Sequence, residues 1–155
     1  MVSLFVLIAI VILASSVLSM VEAAILSLPL IRARLLYQEK RRNSKSLLDI
    51  KEDIHTTIAA IVIVSNAISI VGSIFIGEKF SVLFGDHLLG VFAFCLTIMV
   101  IIFGEVIPKT IGERYKSKLS LFFAPAIRVL VFILRPTVKL ILMLEKPLTN
   151  NLGVS

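Results

Sequence analysis

VSLFVLIAIVILASSVLSMVEAAILSLPLI, residues 2–31, carries a single charged side chain, Glu22. A spanning helix needs about 20 apolar residues, because each residue rises about 1.5 Å and the hydrocarbon layer is about 30 Å thick. This stretch exceeds that length. It is also longer than the apolar core of a secretory leader and has no basic stretch before it, so it reads as a retained span. Working outward, residues 54–77 form a second apolar run with no formal charge, and residues 88–108 a third, with Glu105 near its end. Hydrophobic residues make up 58% of the chain and charged residues 17%, against roughly 45–50% and about 25% in soluble domains. The mean hydropathy is +1.04, which excludes an ordinary water-exposed surface. The expected fold is an all-α membrane protein with three transmembrane helices.

The net charge of +6 is placed between the apolar blocks. Arg32, Arg34, Lys40, Arg41, Arg42, Lys45 and Lys51 lie between spans one and two, and only Lys79 lies between spans two and three. Eight more basic residues follow the third span. Lys/Arg enrichment marks the cytoplasmic side, so the amino terminus is expected outside and the carboxyl terminus inside. No aromatic platform or recognition motif accompanies these charges, which argues against nucleic acid. Cys95 is the only cysteine, so an intrachain disulfide is excluded.

Residues 119–146 are apolar but interrupted by Pro125, Arg128, Arg135, Pro136 and Lys139. Two short helices at the cytoplasmic interface are expected there, with basic side chains reaching toward headgroups. Residues 1–147 then form one membrane domain. Residues 148–155 read as a linker toward a further cytoplasmic domain.

In lipid the informative side chains are the polar ones, since each costs free energy unless it faces protein or water. Ser15, Ser19, Ala23 and Ser27 form a small-residue stripe on span one, with Glu22 on the same side. On span two, Ser65, Asn66 and Ser69 fall within an arc of about 100°. Span three ends in Phe103-Gly104-Glu105-Val106-Ile107-Pro108-Lys109. Pro108 has no backbone N–H, and α-helical spacing assigns the unmet carbonyl to Gly104. A released carbonyl beside the Glu105 carboxylate is a hard oxygen site, suited to Mg²⁺ or Ca²⁺ and not to soft metals. Ser19, Ser65, Asn66 and Ser69 raise the candidate donors to six, the octahedral number of Mg²⁺, although that ion usually keeps several waters.

Each feature has a plainer reading. Small-residue stripes let helices approach, Asn66 can bond between helices, and serines can bond back to their own helix. Pro108 alone can be a kink. Glu105 can pair with Lys109 one turn on, and Glu22 with the same lysine. Glu105 resists these readings best, because a carboxylate within a span is a functional hypothesis by default.

Ser19-Met20-Val21-Glu22, Ser65-Asn66 and above all Phe103-Gly104-Glu105-Val106-Ile107-Pro108-Lys109-Thr110 resemble the DUF21-type transmembrane domain of the CorB/CorC/cyclin M magnesium transporters. The resemblance covers nearly the whole chain. It implies a homodimer with a cytoplasmic belt of juxtamembrane helices and an Mg²⁺ site in each protomer. It also implies a cytoplasmic CBS pair following the membrane domain. Where many relatives have Ser-Gly-Ser-Glu, this chain has Met20 and Val21 in the middle. In span two, Ser65 replaces a common glycine and Ile70 a second asparagine.

The function expected is a cell-membrane transporter domain that binds Mg²⁺ and moves it by alternating access. The resemblance implies export, with Na⁺ entry as the candidate coupling. The site set is Ser19, Ser65, Asn66, Ser69, Gly104 and Glu105, supported by Pro108, Lys109 and Glu22. The alternative is a membrane anchor and dimerisation platform for a cytoplasmic domain, with no ion path of its own. An enzyme is not expected: no HExxH-type motif exists, and His55 and His87 lie at opposite ends of span two.

Overall fold

The computed structural model describes residues 1–150, with side chains described through Leu144. Every regular element among the described residues is helical. In chain order they are α1 (Val2–Ser27), α2 (Leu30–Gln38), α3 (Ser44–Glu52) and α4 (Ile54–Phe84). A 3₁₀ turn (Asp86–Leu88), α5 (Leu89–Met99), a π-helical segment (Val100–Val106), α6 (Ile107–Arg114) and α7 (Lys116–Asn150) complete the chain. Three helical runs are long and apolar enough to cross a membrane: Val2–Ser27, Ile54–Phe84 and Asp86–Arg114.

The number of spans agrees with the sequence, while their bounds differ for local reasons. Span one stops at Ser27 instead of residue 31. Pro29 drives the preceding residue out of the helical region, and Leu28 is extended at φ −83° and ψ 118°. Span two runs past residue 77, through Glu78 and Lys79, to Phe84, since no breaker intervenes before Gly85 at φ +81°. Span three continues beyond residue 108 to Arg114, because the π segment takes up Pro108 without ending the helix.

The residues separate into two compact units, Met1–Pro29 with Val62–Ser120, and Leu30–Ile61 with the chain from Leu121. The first gathers α1, most of α4, α5, the π segment and α6. Leu4, Val11, Ile76 and Leu96 form a buried cluster there, covered by Leu7, Ile8, Phe80, Phe92 and Val100. Phe80 and Phe92 stack with ring centroids 3.8 Å apart, joining α4 to α5. Gly72 sits against Val11, where an added Cβ would overlap the valine methyls.

The second unit packs α2 against α3 through Ala33, Leu36, Leu47 and Ile50, all buried. A Schellman motif ends α2: Arg41 N–H donates to the Leu36 carbonyl and Lys40 N–H to that of Tyr37. Lys40, at φ 54°, stands where glycine is usual. Thr57, fully buried at the start of α4, donates its hydroxyl to the Ile50 carbonyl at 3.0 Å and ties α4 to the end of α3.

Residues 119–146 depart most from expectation. They form part of one continuous helix, α7, instead of two short ones. Of the expected linker 148–155, residues 148–150 continue that helix, and 151–155 lie outside the described residues. Pro125 removes the N–H that would serve the Leu121 carbonyl four residues back. Asn43, held at φ 64°, sends its side-chain amide to that same carbonyl at 3.1 Å. A side chain distant in sequence thus replaces the missing backbone donor. Two ion pairs run alongside, Arg128 to Asp49 at 3.2 Å and Arg135 to Asp53 at 3.8 Å. The seven-residue spacing puts Arg128 and Arg135 on one face of α7, opposite Asp49 in α3 and Asp53 just past its end. These groups are substantially exposed, and each pair contributes about 0.2–1 kcal/mol.

Asn43→Gly keeps the left-handed conformation and removes only the amide. It is expected to destabilise this unit by about 1–3 kcal/mol, the cost of an unpaired carbonyl. Hydrogen exchange in detergent should show faster exchange around residues 121–126, with α5 unaffected.

Candidate functional site

The three spans of the first unit meet near the middles of α1 and α4. Ser15 is buried on α1, and its hydroxyl is 2.9 Å from that of Ser69 on α4. Gly104 is buried at the same place, and a Cβ built on it would stand 3.4 Å from Ser15 Cβ. Small residues on α1 and the π segment allow this approach, and such hydroxyl bonds between membrane helices contribute about 0.6 kcal/mol. Ser19, one turn beyond Ser15, is also buried.

The proline register differs from that given by α-helical spacing. Ile107 N–H bonds to the Ile102 carbonyl, five residues back. In that π register Pro108 falls opposite Phe103, so Phe103 carries the carbonyl left without its backbone donor, where α spacing assigned Gly104. The Ser16 hydroxyl lies 2.6 Å from this oxygen.

Glu105 is exposed in the last turn of the π segment and lines a cavity of about 280 Å³ between α4 and α5. Ser73 and Thr97 share that cavity, and its walls include Phe92, Leu96 and Val100. Ser73 lies one turn beyond Ser69. Asn66, exposed on α4, sits seven residues before Ser73 and so within about 20° of it in helical projection. Ser65 is half-buried one turn before Ser69.

Lys109 approaches Glu22 at 4.0 Å, with Glu22 at 15% side-chain exposure and the lysine at 47%. Of the two pairings open to this lysine, the structure forms the one with Glu22. Both residues line a second cavity, of about 300 Å³, together with Thr110 and Glu113. Among the described residues no group of three or more His, Cys, Asp or Glu side chains forms a metal cluster. Any cation here would meet one carboxylate, hydroxyls, amide or carbonyl oxygens, and water.

The structure therefore brings Ser69 and Gly104 together at one junction, and places Glu105 in the cavity beside it. Five residues outside the expected set take part: Ser15, Ser16, Ser73, Thr97 and Gly112. Ser15 was legible from the four-residue stripe, and Ser73 from its spacing to Ser69. Gly112 packs α6 directly onto α1, leaving no space for a Cβ against the Met20 carbonyl. Nothing in the sequence distinguishes Ser16 or Gly112 from neighbouring small residues.

A family model for the cyclin M transmembrane N-terminal domain matches residues 6–155. The chain is 39% identical over 142 residues to the UPF0053 protein sll1254 of Synechocystis sp., covering 92% of this chain and 41% of that protein. It is 27% identical over 152 residues to a UPF0053 protein of Haemophilus influenzae, covering 98% of this chain and 36% of that one. The chain thus spans about two-fifths of the length of these relatives.

Gly112→Ala is expected to push α6 off α1, loosen the Glu22–Lys109 pair and destabilise the first unit by about 1–3 kcal/mol. Gly90→Ala, on α5 with open space around the added Cβ, is the control and should be neutral or stabilising by up to about 1 kcal/mol. Thermal unfolding in detergent compares the two.

Proposed function

Because the chain belongs to the cyclin M transmembrane-domain family within the CorB/CorC group, we propose that it is a multi-pass transporter domain that binds Mg²⁺ and moves it across the cell membrane by alternating access. The observation carrying this reading is Glu105, a carboxylate of the π segment that faces a cavity between two spans. A carboxylate kept in such a setting, when an apolar residue would pack at lower cost, points to a charged cargo.

The chemistry of the surroundings fits a hard cation. Glu105 supplies charge, and the hydroxyls of Ser73 and Thr97 supply neutral oxygen. Ser69 and Ser15 share one hydrogen, which leaves lone pairs on their oxygens. Asn66, on the Ser73 flank of α4, adds an amide oxygen. A cavity of about 280 Å³ holds several waters at about 30 Å³ each, consistent with the partial hydration that Mg²⁺ retains. The apolar walls lower the local dielectric and strengthen the attraction of Glu105 for the ion. Ser19 completes the proposed set from the α1 side, while Gly104, whose carbonyl is not the one Pro108 frees, serves to let the π segment approach Ser15.

The remaining assignments belong to the same proposal. Transport is outward, with Na⁺ entry as the coupling flux. The protein is a homodimer with an external amino terminus and a cytoplasmic CBS pair. Exposed Phe122, Val129, Ile133 and Leu140 share one side of α7 at seven- and eleven-residue spacings, which supports an interfacial position for that helix. A second reading, an anchor with no ion path, draws on the hydroxyl bonds of Ser15 to Ser69 and of Ser16 to Phe103, which satisfy polar groups inside the protein.

Titration calorimetry with Mg²⁺, on the protein in lipid discs, is expected to show Glu105→Gln binding at least about tenfold more weakly, a loss of about 1.4 kcal/mol or more, and Asn66→Ala to a lesser degree. Mg²⁺ flux from loaded vesicles should fall with Glu105→Gln. Unaltered affinity and flux favour the anchor. Orientation is checked in a Cys95→Ser background, where an impermeant thiol reagent should label Asp86→Cys from outside the cell and spare Arg42→Cys.

A further inference from the structure

We propose that Ser16 is a positioning residue: by donating its hydroxyl to the Phe103 carbonyl, it holds the π register that aims Glu105 into the cavity between α4 and α5. The proposal rests on the reading of Glu105 given above and adds the group that fixes its direction.

Two carbonyls lie within reach of the Ser16 hydroxyl, those of Ile12 at 2.7 Å and Phe103 at 2.6 Å. One hydrogen serves one acceptor at a time. Ile12 lies in the interior of α1, where the Ser16 backbone N–H is already its donor. Phe103 has no such donor, since Pro108 stands opposite it in the π register. The hydroxyl hydrogen therefore stabilises the structure more at Phe103 than at Ile12.

The alternative register makes the role of Ser16 specific. With α-helical spacing the missing bond would fall on Gly104. Gly104 faces Ser15, whose hydroxyl is engaged with Ser69. Moving the gap by one residue, to Phe103, moves it about 100° around the helix. There it meets the next residue of α1, Ser16, which has a hydroxyl to give. The same added residue rotates Glu105 by about 100° relative to α5, toward the side lined by Ser73 and Gly77. Without the Ser16 bond, the π segment loses the contact that favours its register, and the carboxylate loses its fixed direction.

The test uses Ser16→Thr and Ser16→Val, two β-branched residues of nearly equal shape that differ in the hydroxyl. Only Phe84-Gly85 and Phe103-Gly104 are Phe-Gly steps in this chain. A sample labelled with carbonyl-¹³C phenylalanine and ¹⁵N glycine therefore gives two correlations, with Phe84 as internal control. Ser16→Thr should retain the native Phe103 carbonyl shift and Mg²⁺ affinity. Ser16→Val should move the Phe103 carbonyl upfield, leave Phe84 in place, and weaken Mg²⁺ binding about tenfold in calorimetry. Equal behaviour of the two variants overturns the proposal, as does a shifted Phe103 carbonyl with unaltered affinity. Failure of the Mg²⁺ reading is separately visible: Glu105→Gln would then bind Mg²⁺ as the native chain does, whatever the Phe103 carbonyl reports.

Discussion

A proline inside a helix leaves one carbonyl without its donor, and much of this protein's architecture follows from how each such oxygen is met. Among apolar side chains and lipid the loss cannot be passed to solvent, so the chain must break, change register or recruit a side chain. All three occur. At Pro29 the helix ends, with Leu28 extended. At Pro108 the backbone goes into a π turn and Ser16 supplies the hydrogen. At Pro125 the helix continues, and Asn43 reaches the Leu121 carbonyl. The donors at Pro108 and Pro125 come from segments more than 70 residues away, so two prolines that look like breaks become long-range ties.

The same register shift shapes the candidate site. The π segment lets Gly104 lie buried against Ser15 while Glu105, the next residue, faces the cavity between α4 and α5. Packing and charge therefore come from adjacent residues, about 100° apart around one turn. Ser15 and Ser69 close the packed side with a hydroxyl pair, and Lys109 leaves Glu105 free of ammonium by leaning toward Glu22. Among the described residues Glu105 thus faces the cavity beside the hydroxyls of Ser73 and Thr97.

The unit containing α2 and α3 relies on different forces. Its ion pairs are exposed and individually weak, and its precision comes from capped carbonyls at Leu36, Ile50 and Leu121. Lys40 and Asn43 accept left-handed conformations to make two of these caps possible. Backbone satisfaction thus governs both units, by side-chain hydroxyls in one and by turn geometry, an amide and the Thr57 hydroxyl in the other.

The sequence by itself determined that the chain is helical, that it has three spans, and that Glu105 is the carboxylate to examine. Those conclusions need only length, hydropathy and the cost of charge in lipid, which are properties of a segment irrespective of its neighbours. Local rules also place the end of α1, since Pro29 acts on the residue beside it. Tertiary structure decided the rest. Whether Pro108 frees Gly104 or Phe103, and what meets the Leu121 carbonyl at Pro125, depends on a donor arriving from another segment, and no segment specifies its own distant partner. Ser16, Asn43 and Gly112 are for that reason ordinary letters in the sequence. Their roles arise from proximity: a hydroxyl beside an unmet oxygen, an amide at a proline, and a missing side chain where two backbones touch.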